Sequence, residues 1–122
     1  MPFRSSDASL PLTPISFEIL LALLTEDRHG YAILQTVESR LRGHLPMRTG
    51  TMYRALARLV DEGLIVAAAA PAVKRGGAET DERRRYYRIT PQGRRIARAE
   101  AERLADQVAA ARAHRLLTRK VT

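Results

Sequence analysis

Residues Ile15 to Leu24, ISFEILLALL, would be apolar on nearly every face of a helix, with only Ser16 and Glu18 interrupting. A helix of that kind has to be covered on several sides, by the rest of its own chain or by a second subunit. Thr13-Pro14 marks its start: a hydroxyl at the cap, then proline at the first helical position, where no amide hydrogen is needed. The uninterrupted apolar run Ile19 to Leu24 is far too short to span a bilayer.

The cover must come from a chain of 122 residues, 45% hydrophobic but only 5% aromatic. That allows one domain, or a domain plus an appended helix, with a core of Leu, Ile, Val and Ala. A net charge of +8 implies a polyanionic partner, either nucleic acid or an anionic membrane. The plainer alternative is a basic soluble protein without one. The chain has no cysteine, which excludes disulfides, thiolate metal sites and cysteine nucleophiles. The opening MPFRSSDASLPLTP lacks the apolar run of a signal peptide, so the expected location is cytoplasmic.

Glu26 to Gly30 break the apolar pattern, and a second helix is predicted from Tyr31 to Leu41 with Ile33, Leu34, Val37 and Leu41 as its buried stripe. Tyr31 is expected between the first two helices. Gly43 and Pro46 end the segment. A third helix follows within MRTGTMYRALARLVDEGLI, residues 47–65. Met52, Leu56, Leu59 and Val60 form its inner face, Thr51, Arg54, Arg58 and Asp61 its outer one, and Gly63 stops it. Leu64 to Ala67 is β-prone, residues 71–82 form a loop around Gly76-Gly77, and Arg84 to Ile89 reads as a returning strand. Tyr87 shares a strand face with Ile89 and is expected in the core, with Tyr86 on the opposite face. Thr90-Pro91 repeats the helix-start signal, and a final helix is predicted from Pro91 to Leu117. Ala97, Ala101, Leu104, Val108 and Ala111 recur at four-three-four-three spacing, the seam of a short coiled coil. Only two of them are bulky, so pairing needs help from Ile15 and Ile19 of the first helix. The arginines of this helix read as a solvated face balanced by Glu100, Glu102 and Asp106.

This order implies a mainly α chain with a β-hairpin: a winged helix-turn-helix over residues 12–90 with a C-terminal dimerisation helix over 91–117. A disordered lead-in, 1–11, would precede it and a basic tail, 118–122, would follow. In such a fold the third helix enters the major groove and the hairpin flanks it as a wing. The residues suit that task. Unpaired amide hydrogens at a helix start attract phosphate. Thr49 and Thr51 can cap the helix or donate to phosphate, Gly50 removes a side chain at closest approach, and an exposed Tyr53 offers a phenol donor. Arg54 and Arg58 can reach phosphate or a guanine edge. Lys74 and Arg75 at the wing tip, with Arg83, Arg84 and Arg85 at its base, extend the positive surface, although Glu79, Asp81 and Glu82 at the tip would repel phosphate if they faced it. His29, His44 and His114 show no metal-ligand spacing, and no nucleophile–base pair stands out. No enzyme, metal site or cofactor is expected, and His29, beside a helix start, reads as a cap or packing residue.

Three segments, ILLALLTEDRHGYAIL, GTMYRALARLVDEGLI and RRRYYRITPQGRR, together resemble the PadR family of bacterial transcriptional regulators, in particular its branch with a short C-terminal helix. The resemblance covers about residues 13–112. It implies a homodimeric repressor in which the final helix makes the dimer, with DNA contacts by Thr49, Thr51, Tyr53, Lys74 and Arg75. The expected partner is double-stranded DNA bearing a near-palindromic operator. The resemblance also implies a possible hydrophobic small-molecule effector, for which Ile15, Ile19, Leu104 and Val108 at the dimer interface are the expected lining. Two other readings stand beside it: a winged-helix module that binds an acidic protein, and an ArsR-like or MarR-like regulator. The Gly50-Thr51-Met52-Tyr53 helix start and the single dimerising helix favour the PadR-like reading.

Overall fold

The computed structural model describes residues 10–43, 48–69 and 85–117. Its elements run α1 (Pro14–Ala22), β1 (Arg28–His29), α2 (Gly30–Leu41), α3 (Thr49–Asp61), β2 (Ile65–Ala68), β3 (Tyr86–Ile89) and α4 (Pro91–Ala113). The fold class is the expected one, four helices and a small antiparallel sheet. Most element bounds shift from the expected ones: α1 ends at Ala22 and not Leu24, β2 runs one residue later, and β3 begins at Tyr86 and not Arg84. β1 was not foreseen, α2 starts one residue early, and α4 ends at Ala113, four residues short of the predicted Leu117.

α1 is the pillar its composition demanded. It packs against α2, α3 and α4 at once, and Ile19, Leu20 and Leu23 are completely or almost completely buried. Thr13 caps it by accepting the Ser16 amide at 3.1 Å. Glu18 on its outer side is held by Arg40 of α2 at 2.7 Å. Leu10, expected in a disordered lead-in, packs partly against the core, and Leu12 is buried in it.

α2 buries Ile33, Leu34 and Val37. His29 is its N-cap, its Nδ1 accepting the Ala32 amide at 3.0 Å. Tyr31 does not pack between the first two helices. It is 48% exposed, because Gly30, buried at the helix start, occupies the inward position instead. α3 buries Met52, Leu56 and Leu59, with Ala55 packed on their flank. Val60, expected on this face, is 40% exposed. Positions 52, 55, 56 and 59 complete a stripe of the usual width, and residue 60 lies one further step around the helix. Gly63 stops α3 as expected. With φ at +78°, its N–H donates to the Val60 carbonyl and the Leu64 N–H to the Leu59 carbonyl, both at 3.0 Å, closing the helix in a Schellman turn.

The sheet has strand order β1-β3-β2, both pairs antiparallel. Ile65 faces Ile89 and Ala67 faces Tyr87 across the hairpin, while Arg28 and His29 pair with Tyr87 and Tyr86. Tyr87 joins the core as expected. Tyr86, on the other face, is buried too, at 6% exposure. The strand that the sequence did not reveal accounts for this: the His29 ring stands edge-on to Tyr86, centroids 5.3 Å apart.

α4 begins on the core and then leaves it. Gly93, Ile96, Ala97 and Glu100 are buried; from Ala101 to the helix end no residue is. That projecting part is roughly 20 Å long at the helical rise per residue. Glu100 is not a member of the solvated face. It is 2% exposed, accepts two hydrogen bonds from Arg103 at 2.8 and 2.7 Å and a third from the Leu12 amide. The Arg103 hydrogen bonds hold its carboxyl below the ordinary value of 4.5, outweighing burial. Because the folded form holds the lower value, the stabilisation is complete above 4.5 and is lost as pH falls through the folded value. Glu100→Gln should therefore be about 1 kcal/mol less stable than the parent at neutral pH, with the gap closing in acid. Thermal midpoints of both proteins across pH would check this; a gap independent of pH would refute it.

Candidate functional site

α3 is the only described helix whose N-cap side chain does no capping. Thr13, His29 and Thr90 each accept an amide hydrogen at the start of α1, α2 and α4. At α3 the cap is Arg48, with extended backbone and no side-chain hydrogen bond to the helix. The first intrahelical bond runs from the Met52 amide to the Arg48 carbonyl, at 3.0 Å. The amides of Thr49, Gly50 and Thr51 therefore have no acceptor within the helix. They form a concentration of positive partial charge at its end.

The side chains around this turn add formal charge. Arg48, Thr49, Gly50, Arg54 and Arg58 are exposed and Thr51 is half-buried. A methyl at Gly50 would lie 3.4 Å from Arg54 Nη1, so the Arg54 guanidinium reaches back one turn toward the helix start. None of Arg48, Arg54 and Arg58 has a carboxylate partner among the described residues. Other arginines are engaged: Arg40 with Glu18, Arg88 with Asp27 and Arg103 with Glu100. Arginines without a carboxylate partner among the described residues are thus gathered around the start and outer face of α3.

Tyr53 departs from its expected exposure. It is half-buried and packs against the core with its ring over Gly30. Arg85 is exposed at the foot of β3, and its carbonyl accepts the Gly30 amide at 3.2 Å. Tyr53 of the helix and Arg85 of the hairpin thus meet at one residue of α2. Lys74 and Arg75, the expected wing-tip contacts, lie outside the described residues, as do Arg83 and Arg84.

The expected dimer-forming set divides. Ile19 is fully buried in the core and so has no surface left for a partner, which corrects that expectation. Ile15 is half-buried against the core, and Ala97 is buried. Ala101 and Val108 are exposed, and Leu104 and Ala111 are half-buried. The groove between α1 and α4 is not lined by Ile15, Ile19, Leu104 or Val108. It measures about 310 Å³ and is bounded by Leu21, Leu24, Ala97 and Ala101, with Arg94 and Arg98 at its rim. Arg94 also closes α1, donating to the Leu24 carbonyl at 3.0 Å.

Sequence reasoning missed three positions that hold this geometry: Gly30, Arg48 and Gly93. The last had a usable signal, a glycine three residues after a Thr-Pro helix start. Gly93 N–H donates to Thr90 Oγ1 at 2.9 Å, while that hydroxyl lies 2.7 Å from the Gly63 carbonyl and can donate to it. The start of α4 is thereby fastened to the end of α3. Among the described residues no cluster of His, Asp and Glu could hold a metal ion, and no helix is long and apolar enough to cross a membrane.

A model of the transcriptional regulator PadR-like family matches residues 19–99, a span that includes α3, the hairpin and the first turns of α4. No curated protein matches the chain. Among solved structures, a PadR family transcription regulator from Clostridium difficile R20291 is 25% identical, with a TM-score of 0.67 over 84% of this chain and 98% of that one. A transcriptional regulator from Clostridium thermocellum is 28% identical, with a TM-score of 0.59 over 79% of this chain and 86% of that one. Bacillus subtilis PadR, solved in complex with operator DNA, is 21% identical with a TM-score of 0.58, over 71% of this chain and 47% of that one, and shares the fold.

Proposed function

The chain belongs to the transcriptional regulator PadR-like family, a family of regulators and not of enzymes, and from that premise we propose that it is a cytoplasmic homodimeric repressor that reads a near-palindromic DNA operator. The observation that carries this reading is the open first turn of α3. Its amides lack acceptors in the helix, and Arg48, Arg54 and Arg58 around it lack carboxylate partners among the described residues. Such a turn suits a phosphate, and an exposed arginine further along suits a guanine edge. Thr49, Gly50, Thr51 and Tyr53 form the approach surface, and Arg54, Arg58, Lys74, Arg75 and Arg85 supply the charge. The working units are the winged helix-turn-helix of residues 12–90 and the helix of 91–117.

The dimer is supported by the part of α4 that leaves the core. Val108 is 44% exposed, and it shares its seam with Ala101, Leu104 and Ala111. Two copies joined there would set their α3 helices about one DNA turn apart, roughly 34 Å. A small apolar effector held in the groove between α1 and α4 would act by changing that spacing.

Selection from a random duplex pool, followed by titration across salt, tests the reading. Binding should fall steeply with salt, because arginine contacts to phosphate release counterions. Arg54→Ala should lose about 1–3 kcal/mol on the selected duplex and much less on random DNA. Equal losses on both would refute base readout by Arg54. Absence of DNA binding by the parent at moderate salt would refute the function itself.

A further inference from the structure

We infer that Gly30 is a positioning residue for DNA recognition, which leaves room for the Tyr53 ring and so holds its hydroxyl at the junction of α3 and the wing. The inference rests on the DNA-binding reading above and adds to it a residue that touches no DNA.

A methyl group built on Gly30 would lie 2.9 Å from the Tyr53 hydroxyl oxygen, 3.0 Å from Cε1 and 3.3 Å from Cζ. These are the atoms at the tip of the ring, the part that can swing. The backbone of Gly30 has no such freedom. It starts α2, is buried, and is pinned by the bond from its N–H to the Arg85 carbonyl at 3.2 Å. On one side, then, Gly30 holds the foot of the hairpin, and on the other it receives the tyrosine of the recognition helix. Its φ lies outside the left-handed region, so backbone conformation does not require a glycine there. The remaining requirement is space, and the atoms that need the space are those of Tyr53.

An alanine at position 30 can be accommodated by rotating the Tyr53 ring outward, with α3 still anchored by Met52, Leu56 and Leu59. The fold is retained and the phenol is misplaced. Operator affinity should then fall about tenfold, the worth of one hydrogen bond to a charged group. No arginine or lysine contact is lost, so the dependence of affinity on salt keeps its slope. Displacement of the whole helix would instead flatten it.

The experiment is a double-mutant cycle of Gly30→Ala and Tyr53→Ala in the full chain. Affinity is read on the pool-selected duplex at several salt concentrations, with circular dichroism and molar mass as fold controls. Gly30→Ala is expected to lose about tenfold in the parent and less than about twofold on the Tyr53→Ala background. Parent-like affinity, equal losses on both backgrounds, a flattened salt slope, or an unfolded Gly30→Ala protein would each overturn the inference. A parent protein that binds no DNA overturns the function proposed above as well, so the two failures are distinguishable.

Discussion

Gly93→Ala is expected to lower stability by about 3 kcal/mol, shifting the thermal midpoint down by about 10 °C or more. The first turn of α4 lies directly on the backbone that follows α3. A methyl on Gly93 would run into the Leu64 carbonyl oxygen and come within 2.8 Å of Ile89 Cγ1. Neither neighbour can yield cheaply. The Leu64 carbonyl accepts the Thr90 amide at 3.0 Å, and Leu64 and Ile89 are both core residues. The helix would have to rise off the body, breaking the Thr90 tie to Gly63 and exposing Ile96 and Ala97. Gly50→Ala makes the control. Its nearest neighbour is the exposed Arg54 guanidinium at 3.4 Å, and a helical alanine is intrinsically favoured over glycine by up to about 1 kcal/mol. Thermal unfolding followed by circular dichroism compares them. An alanine at position 93 as stable as the parent would mean that α4 does not sit on this carbonyl.

The double substitution Leu104→Asp with Val108→Asp should leave a folded monomer and lower operator affinity by about 10²–10³-fold. Both residues lie beyond Glu100, the last buried position of α4, so the core does not depend on them. Four carboxylates facing one another across the proposed seam would repel, and each half would then bind its half-site alone. Sedimentation with a gel-shift titration gives both readouts. A variant that stays dimeric, or a monomer that binds as tightly as the parent, would remove the projecting helix from the proposed mechanism.

The helices were legible because most carry a start or a stop signal. Thr13-Pro14 and Thr90-Pro91 announce α1 and α4, and Gly63 closes α3. The inner face of α3 was nearly right, with Val60 the error: so short a pattern cannot say which flank of the stripe is covered, and here Ala55 was covered instead. β1 was hidden because two residues show no alternation, and its strand character comes from pairing with Tyr86 and Tyr87 far along the chain. The burial of Tyr86 followed from the same contact. Among the site residues, the small, open and basic character of the α3 start was visible as composition. The seat of Tyr53 over Gly30 was not, since residues 30 and 53 meet only when α2 and α3 cross. Glu100 was misread for a similar reason: a carboxylate flanked by arginines looks solvated until the Leu12 backbone is laid over it.

Local chemistry along the chain decided where α1 and α4 begin and where α3 ends, that α1 must lie inside, and that the exposed face of α3 is basic. Each of these depends on neighbours within a few residues, whose propensities and spacing are written consecutively. Only the tertiary arrangement decided that Ile19 belongs to the core and not to a partner, that Gly93 must have no side chain, and that Tyr53 and Arg85 share Gly30. Those facts arise where separate segments come within van der Waals reach. Such contact is set by the packing of the whole core, which no single stretch of sequence encodes.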